Sequence, residues 1–429
     1  MKVDILGAGI AGLTAAYYTS KDKNIKLSLF DKENRLGGRL KTELFSDSYV
    51  DVGSQLISIA DIETMGLIKE LNISSQLQPF NSTFISAYYD GTIVPVSFSK
   101  GLYNKVTKSE QKIFDKIMKE LNYLERNYYK VLSEFSEYTD MTLHDWFEKH
   151  VGDTPRIVDT ILRAICFSDS KTLSALYGLT TLFVYLQNCF FLSNGMNSII
   201  HSLNYETRDM LAVNLNTSIS QVYIDDQKIT GFEYTDNDGE KNHFTDSVVS
   251  AMPASELVKI LPSTKLKDYL SEISYNPCTV VLLETKKRLW DKTWGLIFDR
   301  ATSPISLMFD NRLKNSTLYN SEGVIGLLLP NNPELFRMDD ANLFDYTLSI
   351  LNDFFEIKKE DISAFHRYNW RTGLALCTPT FHHLIPKINE NKINGLFLCG
   401  GYFGLPSQDS AIESGRAIAS EIKKTSSEW

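Results

Sequence analysis

The sequence has few cysteines and no excess of basic residues. Five cysteines stand among 429 residues, and none of them forms a CxxC pair. An odd number without paired spacing argues against a disulfide framework or a structural zinc site, so we expect no metal and a reducing compartment. Lys+Arg 44 against Asp+Glu 53 gives a net charge of −9. This acidic balance offers no general attraction for nucleic acid, and we expect no nucleic-acid partner.

We expect neither a targeting segment nor an internal repeat. Hydrophobic structure starts at Val3, with no basic region and cleavage site before it, so no signal or transit peptide is predicted. No internal repeat or low-complexity run is visible. The content of 43% hydrophobic and 23% charged residues excludes a mostly disordered chain and a polytopic membrane protein. We therefore expect a globular cytoplasmic protein of two or three structural units.

One long segment lacks charge altogether. Thr172–Tyr205 contains no Asp, Glu, Lys or Arg over 34 residues. Its first part, Leu173–Leu192, has about the length of a membrane span, but several polar residues interrupt it. We favour a buried helix that lines a lipophilic substrate cavity. A peripheral membrane contact is the second interpretation, and a membrane span is the least favoured.

The N-terminus carries a dinucleotide-binding pattern. Lys2–Leu6 predicts a buried strand, Gly7-Ala8-Gly9-Ile10-Ala11-Gly12 follows, and a helix of small and apolar residues comes next. Ile25–Phe30 predicts a second strand, and Asp31 ends it. In such a unit the helix N-terminus binds a pyrophosphate, and the acid, 19 residues after the last glycine, accepts from ribose hydroxyls.

Two further motifs point to FAD rather than NAD. Gly37-Gly38-Arg39 follows the acidic strand end, and Asp51-Val52-Gly53-Ser54-Gln55 comes next. Arg39 can reach a pyrophosphate as a fixed cation. With these four elements in order, the chain resembles the flavin-containing amine oxidase superfamily, which includes amine oxidases, protoporphyrinogen oxidase and carotenoid or squalene desaturases.

The resemblance extends to later segments. Val213–Ile224 alternates as a strand does, and the resemblance places Ile219 in contact with the adenine. Gly400 and Gly401 end the last buried strand. Ser410-Ala411-Ile412-Glu413 reads as a capping box, and the resemblance directs the N-terminus of the following helix at the flavin. The predicted cofactor-binding residues are Gly7, Gly9, Ile10, Ala11, Gly12, Asp31, Lys32, Gly38, Arg39, Gly53, Ser54, Gln55, Ile219, Gly400, Gly401, Ser410 and Ala411.

The resemblance also implies a fold. We expect an α/β chain (α+β overall) with a Rossmann-type, glutathione-reductase-like FAD-binding domain formed by residues 1–85, 196–254 and 366–429. Residues 86–195 and 255–365 would form an inserted substrate domain of helices and a mixed sheet. Glu110–Tyr129 predicts an amphipathic helix there, and Cys278–Glu284 predicts a strand.

Three observations separate the subclasses. The position at which many amine oxidases carry a lysine near the flavin N5 is Val280. Gly400-Gly401-Tyr402 resembles protoporphyrinogen oxidases more than amine oxidases. Trp370 and Tyr402 are substrate-side candidates, while the catalytic residues stay unassigned. Cys377 is a less favoured candidate for covalent attachment, because its surrounding motif differs from that of enzymes that attach FAD.

These observations favour a noncovalent FAD enzyme that dehydrogenates an apolar or aromatic small molecule by hydride transfer to flavin N5. A protoporphyrinogen-oxidase- or desaturase-like activity is preferred. An amine or amino-acid oxidase is the alternative, and a non-catalytic flavin-binding protein or an isomerase is a second one. Dioxygen or a quinone would reoxidise the flavin. A homodimer and a peripheral membrane contact stay open.

The adjacent pair His382-His383 is interpreted as structural or surface, in a strand.

Overall fold

The computed structural model describes residues 1–80, 83–89, 91–96, 136–185, 187–314 and 323–427. The helix predicted over Glu110–Tyr129 lies outside these residues. The described strands are Lys2–Leu6 (β1), Lys26–Phe30 (β2), Thr42–Phe45 (β3), Ser48–Asp51 (β4), Ile57–Ser58 (β5), Leu77–Pro79 (β6), Thr83–Tyr89 (β7), Thr92–Pro95 (β8), Cys189–Leu192 (β9), Leu211–Asn214 (β10), Ser218–Asp225 (β11), Lys228–Asp236 (β12), Gly239–Phe244 (β13), Val248–Ser250 (β14), Tyr275–Thr285 (β15), Thr293–Phe298 (β16), Leu307–Asp310 (β17), Val324–Pro330 (β18), Ile362–Ala375 (β19) and Leu396–Leu398 (β20).

Helices occur between the strands along the whole chain, and the last one is the longest of those described. The described α-helices are Ile10–Thr19 (α1), Ile62–Glu70 (α2), Ser136–Thr139 (α3), Leu143–His150 (α4), Arg156–Cys166 (α5), Ala175–Tyr185 (α6), Asn197–Thr207 (α7), Ala254–Ile260 (α8), Lys265–Ser271 (α9), Asp340–Asn352 (α10), Pro379–Glu390 (α11) and Gln408–Ser427 (α12). Short 3-10 helices cover Ser74–Gln76, Asn311–Leu313, Pro333–Phe336 and Lys359–Asp361.

A five-stranded parallel sheet brings together three distant parts of the chain. Its order is β10-β2-β1-β14-β20, and every pairing is parallel. Val3–Leu6 of β1 is buried, as expected for a strand covered on both faces. Helices α1 and α12 pack against each other beside this sheet. The strand predicted over Lys2–Leu6 is confirmed, and the second predicted strand begins one residue late, at Lys26.

A seven-stranded mixed sheet forms the second large layer. Its order is β19-β15-β18-β17-β16-β7-β8, antiparallel except between β16 and β7. The strand predicted over Cys278–Glu284 lies inside β15 and is confirmed. Smaller sheets pair β3 with β4, place β9 between β5 and β6, and form the meander β11-β12-β13. The chain is therefore an α/β structure with one parallel and several mixed or antiparallel sheets.

The charge-free segment folds as a short helix, a strand and most of a second helix, α7. Helix α6 covers 11 residues, and β9 then pairs with β5 and β6, so the expectation of one helix over Leu173–Leu192 is wrong. Gln187 and Asn188 interrupt the apolar run where the helix has ended. Much of α6 is nonetheless inside the protein, with Leu176, Leu179 and Leu182 at most 1% exposed. Within the described ranges, every helix is too short or too polar to cross a membrane.

Two further local predictions are corrected. The single strand expected over Val213–Ile224 is two strands, β10 and β11, in two different sheets. Asn216, at φ +52°, lies in the turn that separates them. His382-His383 lies in helix α11 rather than in a strand, because Pro379 at the first helical turn and the Thr378 cap start a helix there.

The predicted domain limits stay a prediction. The five strands of the parallel sheet come from residues 2–30, 211–250 and 396–398. The predicted limits at 85 and 366, however, fall inside β7 and β19, both of which belong to the seven-stranded sheet.

Candidate functional site

The glycine-rich turn exposes the N-terminus of α1. Gly7 adopts φ +106°, which a residue with a side chain rarely adopts, and its N–H donates to the Phe30 carbonyl over 2.8 Å. Gly9 is the N-cap and has no side chain to cap the helix. The N–H groups of Ile10, Ala11 and Gly12 have no acceptor among the described residues. They form an electropositive end that favours an anion.

Close packing behind this turn depends on two glycines. A Cβ atom on Gly12 would lie 2.1 Å from the Gly7 carbonyl oxygen. A Cβ atom on Gly415 of α12 would lie 2.5 Å from the Ala11 carbonyl oxygen. A side chain at Gly12 would push α1 away from the Gly7 turn, and one at Gly415 would push α12 away from α1, so these glycines fix where the N-terminus of α1 lies. Ala411, also on α12, is buried beside them.

The Gly37-Gly38-Arg39 segment lies directly over the glycine turn. The Gly37 N–H donates to the Ala8 carbonyl over 2.8 Å, and a Cβ atom on Gly38 would lie 3.1 Å from the Gly9 Cα. Arg39 then points its guanidinium at the Gly373 carbonyl over 3.0 Å. Burial lowers the pKa of Arg39, and no described carboxylate compensates it. A guanidinium stays protonated in proteins, so this is a half-buried cation whose charge a bound phosphate would balance.

Asp31 organises the other end of the turn. Its carboxylate accepts from the Ala8 N–H over 2.6 Å and from the Glu33 N–H over 2.8 Å. Burial raises the pKa of Asp31, while these two backbone donors oppose the rise. Each oxygen retains room for a second donor, since a carboxylate offers about four acceptor sites. A ribose hydroxyl could therefore still donate to it.

The turn after β10 runs beside Asp31. The Thr217 N–H donates to the Asp31 carbonyl over 2.8 Å, which brings the half-buried Ile219 in β11 to the same edge of the sheet. Lys32 is exposed, and its ammonium pairs with Glu256 over 3.2 Å. The side chain of Lys32 is thus engaged at the surface, and only its backbone lies along the turn.

The segment after β4 closes the site from the opposite side. A Cβ atom on Gly53 would lie 1.8 Å from the Arg39 carbonyl oxygen, so only glycine fits. The Ser54 N–H donates to that same carbonyl over 3.1 Å, and the Ser54 hydroxyl donates to Gln408 of α12 over 2.9 Å. Gln55 is 9% exposed, and its Nε2 has no partner among the described residues. A buried donor without a partner indicates a group that a ligand can satisfy.

Aromatic residues lie next to Arg39 and this segment. The Trp370 indole N–H donates to the Val52 carbonyl over 2.8 Å. Tyr402 is 2% exposed, and its hydroxyl has no hydrogen-bond partner among the described residues. Burial raises the pKa of Tyr402 well above its usual value. The hydroxyl is therefore neutral and available to a ligand or an ordered water.

The N-terminus of α12 faces the same region. The helix begins at Gln408, and the Ser410 N–H donates to the Ser407 hydroxyl over 3.0 Å. The predicted capping box at Ser410 is therefore wrong: Ser407 is the cap, three residues earlier. The Gly400 N–H donates to Ser414 over 3.0 Å, which ties the Gly400-Gly401 turn to the first turns of α12.

Cys377 is buried away from solvent. Its Sγ lies 3.6 Å from His382 Nε2 and 3.8 Å from the Ser174 hydroxyl. Burial raises the pKa of the Cys377 thiol and lowers the pKa of His382 to about 4. His383, by contrast, is exposed and pairs with Asp140 over 3.0 Å. The pair is thus one core and one surface side chain, since neighbouring helix residues point in different directions.

Sequence reasoning missed several residues of this region. The Tyr275 hydroxyl accepts from the Ala254 N–H over 2.9 Å. Burial raises the pKa of Tyr275, and the nearby charge of Arg39 opposes this rise. Gly373 reaches Arg39 through its carbonyl, and Gly415 packs on α1. Gly415 lies in the Ser414-Gly415-Arg416 stretch, seven residues after the start of α12, where a glycine inside a helix indicates close packing. Tyr275 and Gly373 had no sequence signal.

The residues present fit a dinucleotide cofactor such as FAD. Among the described residues, a helix N-terminus without acceptors, a half-buried guanidinium without a carboxylate partner and two buried groups without partners come together in this region. Such a donor set suits a diphosphate and a polar ring edge. Trp370 contacts Val52, Tyr275 lies near Arg39 and Tyr402 lies near Tyr275, so these aromatic residues could contact a ring system.

The family comparison agrees with this site. A family model described as flavin-containing amine oxidoreductase matches residues 10–423. Protoporphyrinogen oxidase 2, chloroplastic/mitochondrial, of Arabidopsis thaliana is 21% identical over 96% of this chain and 92% of its own length. An L-amino-acid oxidase of Crotalus adamanteus is 21% identical over 99% of this chain and 87% of its own length.

A solved structure shows the same fold. Wild-type putrescine oxidase bound to putrescine superimposes with a TM-score of 0.71 at 15% identity, covering 99% of both chains. At this identity the likeness concerns the fold alone.

Proposed function

The chain belongs to the flavin-containing amine oxidoreductase family, and from that membership we propose that it binds FAD noncovalently and dehydrogenates an apolar or aromatic small molecule. The chain is a flavin oxidoreductase; the identity of the flavin and the substrate class are the proposal. We favour a substrate of the protoporphyrinogen-oxidase or desaturase kind over an amine.

The glycine turn and its neighbours would hold the FAD in a Rossmann-type domain. The N-terminus of α1 and Arg39 would bind the diphosphate, and Asp31 would accept from the adenosine ribose. The N-terminus of α12 would lie toward the isoalloxazine, where a helix dipole favours negative charge. When bound, FAD supplies a hydride acceptor at N5, with dioxygen or a quinone as the terminal acceptor.

One observation carries the substrate proposal. The charge-free helix α6 is tied directly to the segment between Tyr402 and α12, because the Tyr177 hydroxyl donates to the Pro406 carbonyl over 2.8 Å. The start of the helix is tied to Cys377, whose carbonyl accepts from the Ser174 N–H over 2.9 Å. A wall of uncharged side chains thus adjoins the aromatic side of the site, and such a wall favours an apolar substrate.

The protein residues near this wall are suited to position a substrate rather than to exchange protons with it. Val280 in β15 is buried at the position where many amine oxidases would carry a lysine. His382 behind the wall is neutral, since its pKa is about 4. Hydride transfer to a flavin requires placement and exclusion of water, which Trp370 and Tyr402 can provide without a charged side chain.

Noncovalent attachment is supported by the position of Cys377. Its thiol is buried against His382 and Ser174, and burial raises its pKa, so the reactive thiolate is disfavoured. Acid precipitation of the yellow protein tests this: the colour should leave with the supernatant. Colour that stays with the precipitated protein would show a covalent bond.

Anaerobic bleaching of the bound flavin tests the substrate class. Porphyrinogens, isoprenoids and amines would be offered separately to the purified holoprotein. We expect bleaching by an apolar donor and none by simple amines. Bleaching by amines or amino acids alone would instead support the alternative activity, an amine or amino-acid oxidase, which the full-length similarity to an L-amino-acid oxidase favours.

A further inference from the structure

A fully buried lysine pairs with the aspartate that precedes the Gly53 segment. Lys314 is 1% exposed, and its Nζ lies 3.2 Å from the Oδ2 of Asp51, which is 3% exposed. The ammonium also lies 5.1 Å from the centre of the Phe191 ring. Lysine is almost never buried completely unless it is paired, because the charge must otherwise be desolvated without compensation. The pair is therefore a specific feature of this interior.

Asp51 joins three parts of the chain that are distant in sequence: the β3–β4 hairpin, the residues before α7 and the end of the 3-10 helix after β17. Its Oδ1 accepts from the Thr42 hydroxyl over 2.6 Å and from the Met196 N–H over 2.8 Å. Its Oδ2 accepts from the ammonium of Lys314, which follows the 3-10 helix after β17. The neighbouring Asn311 amide donates to the Tyr49 carbonyl over 3.0 Å in β4. The large mixed sheet thus holds the end of β4 through two contacts, one of them ionic.

The residues directly after Asp51 lie between the cofactor side and the substrate side of the site. The Val52 carbonyl accepts from Trp370, and the Ser54 N–H donates to the Arg39 carbonyl. A displacement of Asp51 would consequently shift both Trp370 and Arg39. Displacements of about 1 Å are enough to impair a flavin site by large factors.

We propose that Lys314 is a positioning residue for the flavin site: its buried ammonium holds Asp51 and thereby sets the 52–54 segment between Arg39 and Trp370. The inference rests on the proposed FAD site. Lys314 touches neither cofactor nor substrate in this assignment, and it acts through the Asp51 carboxylate.

The test compares three variants by their FAD affinity. Lys314→Met leaves a buried carboxylate without its cation, and the double variant Asp51→Asn/Lys314→Met removes both charges while the Asn oxygen can still accept from Thr42 and Met196. Lys149→Met is the matched control, because it breaks an exposed ion pair with Glu137 at 2.9 Å. FAD would be titrated into each apoprotein with flavin fluorescence as the readout, and thermal unfolding of each apoprotein would be measured separately.

We expect Lys314→Met and the double variant both to weaken FAD binding by about tenfold or more, because each lacks the ammonium that holds Asp51, and Lys149→Met to bind as wild type. An apoprotein of Lys314→Met that unfolds at lower temperature but binds FAD with unchanged affinity would show a purely structural pair and overturn the inference. If Lys314→Met does not fold, the double variant decides: affinity weakened by about tenfold supports the inference, and wild-type affinity refutes it. A wild-type protein that binds no FAD would instead refute the proposed function.

Discussion

Two carboxyl groups lie close together at the N-termini of α2 and α12. Their proximity predicts that the free energy of unfolding falls as the pH rises. Asp61 precedes α2 and accepts from the Ser58 N–H over 2.7 Å. Asp409 of α12 accepts from the Thr64 N–H and hydroxyl at 2.7 and 2.9 Å. Burial, and next the charge of Asp409, raise the pKa of Asp61 to about 7. Glu63, paired with Arg416, also faces Asp409.

The sign and size of the effect follow from linkage. Because the folded-state pKa of Asp61 is raised, the neutral carboxyl is favoured in the folded protein. Its stabilising contribution is complete below the unfolded pKa of about 3.9 and is lost as the pH rises through about 7. Between about pH 5 and about pH 8 this single group should lower the free energy of unfolding by about 3 kcal/mol, to order of magnitude.

Urea unfolding near pH 5 and near pH 8 measures this difference. Asp61→Asn should be stabilised relative to wild type near pH 8 and should remove most of the pH-dependent difference, since the amide cannot ionise. Asp209→Asn is the control, because the Asp209 side chain is 84% exposed. An Asp61→Asn protein with the same pH-dependent difference as wild type would refute the reasoning.

Three more predictions concern the flavin site. Arg39→Gln should weaken FAD binding by about tenfold or more, because it removes the cation that we propose binds the diphosphate; titration of the apoprotein checks this, and unchanged affinity would contradict it. Gly53→Ala should destabilise the protein by about 1–3 kcal/mol through the clash with the Arg39 carbonyl, as measured by urea unfolding; unchanged stability would argue against the close approach. Tyr402→Phe should leave the apoprotein as stable or about 1 kcal/mol more stable, because it removes a buried hydroxyl that has no partner among the described residues, and a large loss of stability would reveal a structural bond.

The N-terminal part of the site was predictable because its elements are local. The strand at Lys2–Leu6, the glycine turn and α1 follow one another in sequence, and each motif residue has a conformational reason within a few neighbours. The same holds for β15, where a long run of β-branched and apolar residues predicts a buried strand.

Other predictions failed where local signals compete. Ser410 and Ser407 both offer a capping hydroxyl before an acidic residue, and the structure uses Ser407. The alternation over Val213–Ile224 does not show the turn at Asn216. The charge-free segment has the composition of a long helix, but part of it forms strand β9. This strand pairs with β5 and β6, which lie about 110–135 residues away in sequence, so local composition does not predict it.

The sequence by itself determined the family motifs, the strand–turn–helix unit and the scarcity of charge in one segment, because these depend on residue type and short spacing. Only the tertiary structure decided that Arg39 meets Gly373, that Trp370 bonds to Val52 and that Lys314 is buried against Asp51. Each contact joins residues more than 250 positions apart. Such contacts arise when distant strands share a sheet and their ends converge, and no periodicity in the chain encodes which ends will meet.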